Sequence, residues 1–216
     1  LTDNQILEEI EKGTIVIEPY DKSCLGTNSY DVHLGKYLAT YVDEELDAKK
    51  HNEIMGLEIP EEGFLLQPNI LYLGVTLEYT ESHAHVPFLE GKSSTGRLGI
   101  DIHATAGKGD VGFCNTWTLE VSVVHPVRVY AGMPIGQLIY FPVDGEIINP
   151  YNKDVMAIVP VSLSALPKDH WRILGYDAVP DLNRTKTDFA SEDITLHDPT
   201  IIEAFANAIH GLYPWD

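Results

Sequence analysis

An all-β fold, a distorted jelly roll or β-barrel with a short N-terminal helix and a C-terminal helical extension, is what this sequence of 216 residues predicts. Two features carry that expectation. Between Thr14 and about Pro142 the apolar side chains recur with a period of two, the mark of half-buried strands. Turn-forming residues cut the same stretch into many short runs, and no helical segments alternate with them as an α/β fold would require.

The opening LTDNQILEEIEKG reads as a helix capped by Asp3 or Asn4, with Ile6, Leu7 and Ile10 on one face and Gly13 at its end. Strands are expected over 14–18, 29–34, 36–41, 63–66, 70–77, 100–104, 116–122, 127–129 and 135–141. Pro19, Gly26, Gly35, Pro60-Glu61-Glu62-Gly63, Gly107-Lys108-Gly109, His125-Pro126 and Gly132-Met133-Pro134 supply the turns between them. Residues 43–56 (DEELDAKKHNEIMG) read as a polar, mobile insertion. Beyond Phe141 the texture changes: 144–200 is rich in Asp, Pro and Asn. Asp198-Pro199 then opens a terminal helix with Ile201, Ile202, Phe205, Ala208, Ile209 and Leu212 on one stripe. The chain thus divides into a β domain over 1–153 and a divergent extension over 154–216.

Charge and composition exclude several classes. Against 14 basic residues stand 33 acidic ones, a net charge of -19, which repels nucleic-acid backbones and anionic membranes. An anionic substrate must therefore meet a local basic cluster set against the global field. No apolar run is long enough to span a bilayer, and the acidic opening is unlike a secretory leader, so a soluble, cytoplasmic protein is expected. The 2 cysteines, Cys24 and Cys114, form no CxxC, which suggests neither a disulfide framework nor a cysteine zinc site.

The chemistry concentrates between Glu90 and Phe141. In GKSSTGRLGI (91–100), Lys92, Ser93 and Ser94 put a cation, two hydroxyls and accessible backbone N–H groups in a glycine-flanked turn. A polyphosphate suits such a turn, and an ordinary polar turn has the same composition. Arg97 in the same segment and Lys108 in the next Gly-rich turn add positive charge. Glu120 lies in the strand pattern WTLEVSV, flanked by apolar side chains. Buried, it would have a pKa raised toward values useful for proton transfer; facing solvent, it would be a plain strand glutamate. Asp110 suits either a sugar hydroxyl or a turn cap.

The ordered blocks GKSSTGRLGI, HATAGKGDVGF, TLEV and GMPIGQLIYF, preceded by LTDNQILEEIEKGTIVIEP and NSYDVHLG, resemble the dCTP deaminase branch of the dUTPase superfamily from residue 1 to about Lys153. The resemblance implies a dUTPase-like β fold, a homotrimer with sites between subunits, and a hydrolase that deaminates dCTP to dUTP and ammonia. It implies that Glu120 is the general base activating water for attack at C4 of cytosine, that Ser93 helps hold the water, and that Arg97 steadies the charged site. Lys92 and Ser94 match triphosphate contacts, Ala106 a carbonyl facing the water, and Asp110 a deoxyribose contact. Lys108, Gln137 and Tyr151 match further nucleotide-contacting positions. Magnesium would ride on the phosphates.

Zinc is not expected in that chemistry. The one H-x-E, His51-Asn52-Glu53, lies in the polar insertion with no P-C-x-x-C after it, and His83-Ala84-His85 fits a loop or core role. The chain also departs from the family pattern. Cys114-Asn115 displaces a glycine after GF, Gly109 stands for a usual apolar residue, and Lys108 replaces the arginine of strict deaminases. After Pro150-Tyr151-Asn152 the expected K-Y-x-x-Q tail is not recognisable. Rival readings are a bifunctional enzyme forming dUMP and pyrophosphate, which Ala106-Gly107 favours, a plain dUTPase acting on dUTP, and a non-catalytic nucleotide-binding protein.

Overall fold

In the computed structural model the described residues are 1–49, 52–105, 107–148 and 151. They open with helix α1 (Asp3–Glu11), and strands dominate the remainder. The strands are β1 (Ile15–Glu18), β2 (Tyr30–Tyr41), β3 (Ile54–Glu58), β4 (Phe64–Leu66), β5 (Tyr72–Ser82) and β6 (His85–Gly91). After the single turn of helix α2 (Ser93–Gly96) come β7 (Ile100–Asp101), β8 (Phe113–Val123), β9 (Val127–Val129) and β10 (Pro134–Pro142). Among the described residues, no helix is long and apolar enough to cross a membrane.

The strands pair in the order β6-β10-β2-β5-β8-β7, with β1 added to β5, β3 added to β2, and a small β4-β9 ribbon apart. The segment after β7 nearly closes this sheet into a barrel. On one side Glu120 of β8 donates its N–H to Ile102 O at 2.9 Å. On the other, Leu89 N donates to Gly107 O at 2.8 Å and Gly109 N to Pro87 O at 2.8 Å, so the segment also lies along β6. The bridging segment thus bonds to β8 on one side and to β6 on the other, which shortens the exposed ladder that an open sheet would present.

Alternation decides which side chains fill the interior. Val32, Leu34 and Leu38 from β2, Leu89 from β6, Leu119 and Val121 from β8, and Ile135, Leu138 and Tyr140 from β10 are all nearly inaccessible. Burying each of the Leu and Ile side chains contributes roughly 1.5–3 kcal/mol. A smaller apolar cluster of Tyr37, Ala39, Ile54 and Leu73 forms on the other face of β2, β3 and β5. Among the described residues one carboxylate is also buried: Glu78, 2% exposed. It accepts the His33 backbone N–H at 2.9 Å and stands 2.5 Å from His33 Nδ1, which offsets its desolvation.

Several expectations are corrected. Residues 29–34 and 36–41 are one strand, β2, and Gly35 is not a turn. A Cβ there would stand 2.9 Å from Val75 O, and the register with β5 shifts between Leu34 and Leu38, so the glycine marks a close approach and an irregularity inside the strand. The last three residues of the polar insertion, 54–56, begin β3, whose Ile54 and Leu57 are buried against β2. β6 escapes a sequence reading because Pro87 sits inside it. The strand expected over 100–104 shortens to Ile100–Asp101, because beyond it the backbone must cross toward β6. The helix cap is Thr2 rather than Asp3 or Asn4: its side chain accepts from Gln5 N and the Gln5 side chain returns to the Thr2 N–H, a capping box. β1, β4, β8 and β10 keep their expected centres with shifted ends, β5 runs five residues past the expected 70–77 to Ser82, and 127–129 is β9 as expected. The extension 154–216, with its expected helix, lies outside the described residues, as does His51.

Candidate functional site

The GKSS segment is an N-cap followed by one helical turn. Lys92 is the N-cap in extended conformation, and the turn Ser93–Gly96 exists because Gly96 N donates to Lys92 O at 2.9 Å and Arg97 N to Ser93 O at 3.1 Å. Buried Thr95 pins it, its hydroxyl donating to Lys92 O at 2.8 Å. Gly99, at φ +75°, then turns the chain into β7. With Thr95 inside, Ser93, Ser94 and Arg97 are exposed on the outer side. The Lys92 ammonium pairs with the Asp31 carboxylate of β2. Asp31 is the register partner of Gln137 on β10, and Ser29 Oγ donates to Gln137 Oε1 at 3.4 Å. Lys92, Asp31, Gln137 and Ser29 thus form one polar cluster beside the exposed hydroxyls and guanidinium.

A second group surrounds Glu120. This residue is half-buried on β8, on the face opposite Leu119, with Leu73 as its cross-strand partner. Its Oε2 accepts the backbone N–H of Ala104 at 2.7 Å. Among the described residues no donor reaches Oε1, which leaves that oxygen available to a water or substrate proton. Burial pushes the Tyr41 phenol up, and the Glu120 carboxylate nearby acts in the same direction.

The TAG turn is fixed by close backbone approach. A Cβ on Gly107 would lie 1.7 Å from Leu89 O and 2.6 Å from His103 Nε2. His103 Nε2 is itself 2.9 Å from Leu89 O. At Gly109, where an apolar side chain is usual, a Cβ would meet Trp117 at 2.6 Å and Pro87 at 2.9 Å, so Trp117 occupies the space. Lys108 Nζ donates to Asp110 Oδ1 at 2.6 Å, and both side chains are about half exposed. Tyr151 N donates to Val111 O at 3.3 Å, placing Tyr151 beside Gly112 and Phe113. Ala106 lies outside the described residues.

Within one chain the expected site residues therefore fall into three groups: Lys92, Ser93, Ser94, Arg97 and Gln137 around α2; Glu120 with the 102–104 segment; and Lys108, Asp110 and Tyr151 around the turn before β8. Two members do not stand out from sequence, Asp31 and Ser29. Their signal is present in NSYDVHLG, but their link to Lys92 and Gln137 depends on sheet register, which a sequence does not display.

The comparisons with known proteins point one way. A family model described as dCTP deaminase-like matches residues 1–143. A protein of Cytophaga hutchinsonii named dCTP deaminase, dUMP-forming, is 57% identical over 135 residues, covering 62% of this chain and 78% of that one. A Leptospira biflexa protein of the same name is 49% identical over 169 residues, covering 78% and 97%. The crystal structure of 2'-deoxycytidine 5'-triphosphate deaminase from Agrobacterium tumefaciens is similar with a TM-score of 0.53 at 20% identity, over 65% of this chain and 47% of that one, a likeness of fold. Matched over residues 1–143, the chain belongs to the dCTP deaminase-like family.

Proposed function

We propose that this chain is a hydrolase that removes the exocyclic amino group of dCTP. Water adds to C4, one of its protons passes to N3 and the other, from the new C4 hydroxyl, to the amino group, and ammonia leaves with the uracil nucleotide as the other product. Glu120 takes the proton from water and returns it to the departing amine, as the matching position does in the family. The observation that carries the reading is the Glu120 carboxylate, held by Ala104 N–H at 2.7 Å with its second oxygen open. Ser93 and Arg97 hold the water and the developing charge. Lys92, Ser94, Lys108, Asp110, Gln137, Tyr151 and the Ala106 carbonyl bind the nucleotide.

Magnesium enters on the triphosphate. Magnesium would supply charge neutralisation there, carried by triphosphate oxygens of the kind a hard cation prefers, with Lys92 and Ser94 holding the phosphates. The exposure of Ser93, Ser94 and Arg97 in a single chain suits a site completed by neighbouring subunits of a homotrimer, and light scattering should give three chains. A cytoplasmic location accords with a substrate of the nucleotide pool.

A second reading is favoured by the relatives named dUMP-forming: the same site also releases pyrophosphate, so that dCTP leaves as dUMP. Incubation with dCTP and magnesium, following ammonia, dUTP, dUMP and pyrophosphate together, tests both. Ammonia with dUTP supports simple deamination and ammonia with dUMP the two-step reaction; absence of ammonia overturns both.

A further inference from the structure

At the end of the β5–β8 pair remote from Glu120, three side chains of metal-ligating type converge. Glu81 on β5 and Cys114 on β8 are direct cross-strand partners, so their side chains share a face. His83 comes one residue after β5, and its N–H donates to Thr14 O at 2.8 Å, which carries its ring to the same face. The carboxylate oxygen, imidazole nitrogen and Sγ all lie within 4.8 Å of one another. Along β8 Cys114 is six residues from Glu120, roughly 20 Å of strand, so this cluster lies away from the proposed base, at the end of β8 that follows the turn carrying Lys108 and Asp110.

We propose that Glu81, His83 and Cys114 bind one divalent transition-metal ion, with Zn2+ as the best fit. Sulfur, nitrogen and oxygen donors in one set select zinc-type ions over Mg2+ or Ca2+, which take oxygen ligands. In a tetrahedral site the ligand atoms would stand roughly 3.3–3.7 Å apart. The His83 Nε2 to Glu81 Oε2 separation of 2.6 Å must therefore open slightly, and His83 is exposed and can turn to do so. The fourth position is left to water or another donor. An outer partner is already in place: Tyr79 OH donates to Glu81 Oε1 at 2.8 Å, orienting the carboxylate. The Cys114 thiol donates to Gly112 O at 3.2 Å; on metal binding the sulfur forms its bond to the ion and that proton passes to water. His85 of the same H-x-H takes no part and stands instead 3.9 Å from Glu9. Nothing in the CxxC or H-x-E spacing signals this site, because strand pairing alone brings Cys114 to Glu81.

The test is titration of the purified full chain, stripped with chelator, first with Co2+ and then with Zn2+. Expected are one Co2+ per chain, a thiolate-to-cobalt charge-transfer band with visible bands of tetrahedral type, and their loss on adding Zn2+. Cys114→Ser should lose the charge-transfer band, His83→Ala should weaken Co2+ binding by about tenfold or more, and Tyr79→Phe should weaken it by about tenfold. No thiolate band in the unaltered chain, a band that persists in Cys114→Ser, or unchanged affinity in His83→Ala would each overturn the proposal. Melting of the metal-free variants reports whether they fold; should Cys114→Ser fail, the band in the unaltered chain and the exposed His83→Ala variant decide.

Discussion

Glu120 and Ala104 are joined by a 2.7 Å hydrogen bond from the Ala104 backbone N–H to Glu120 Oε2, while the Glu120 N–H itself donates to Ile102 O at 2.9 Å. Backbone and side chain of one residue thus grip the same crossing segment. The carboxylate is oriented by main-chain atoms rather than by a mobile side chain, which suits a group that must move protons at a fixed point.

Glu120→Gln should therefore keep the fold, since an amide oxygen can accept from Ala104 in place of Oε2. It removes the proposed base. Deamination of dCTP should fall by at least about 100-fold while nucleotide affinity, read by calorimetry, stays close to that of the unaltered chain. Normal turnover would remove Glu120 from its proposed role.

Lys92→Ala should act on binding rather than on folding. The Lys92–Asp31 pair is partly exposed, at 23% and 28%, so losing it should change stability by less than about 1 kcal/mol. KM for dCTP should rise by about tenfold, the loss of one charged phosphate contact. Asp31→Asn, which leaves the lysine without its anchor, should raise KM in the same direction; unchanged kinetics in both variants would show that the cluster does not meet the triphosphate.

Gly107→Ala tests the close approach of the crossing segment to β6. The added Cβ would stand 1.7 Å from Leu89 O, which no rotamer change relieves, so backbone must move. The chain should lose about 3 kcal/mol or more of stability in denaturant melts. Gly96→Ala is the control, because nothing lies within 4 Å of a Cβ there.

Acid should weaken the fold through His85. Burial holds its imidazole below the ordinary value of 6.5, and the opposing pull of Glu9 is smaller. The folded chain binds that proton less readily than the unfolded chain does. Its contribution is complete above about pH 6.5 and is lost as pH falls below it. Melting temperatures between about pH 8 and pH 5.5 should decline more steeply for the unaltered chain than for His85→Gln. Parallel declines would assign the acid sensitivity elsewhere.

Much of this is legible in the residues. The period-two pattern marks β1, β9 and β10 closely, because one face of each is buried and the other is not. The α2 turn and Glu120 stand out by chemical type within glycine-rich or apolar surroundings. β3 and β6 escape it because a polar run and an internal proline outweigh a short strand signal, and only pairing with β2 and β10 stabilises them. Gly35 reads as a turn because sequence shows a missing side chain and not the Val75 carbonyl that requires it to be missing.

By itself the sequence determined the fold class, the family and the kinds of side chain available for chemistry, since these depend on local pattern and residue type. Only the tertiary structure decided which of them meet: Lys92 with Asp31, Glu120 with Ala104, Cys114 with Glu81 and His83. Each of these contacts joins residues from different strands or turns, and such meetings are set by strand order and register, long-range properties that no local pattern encodes.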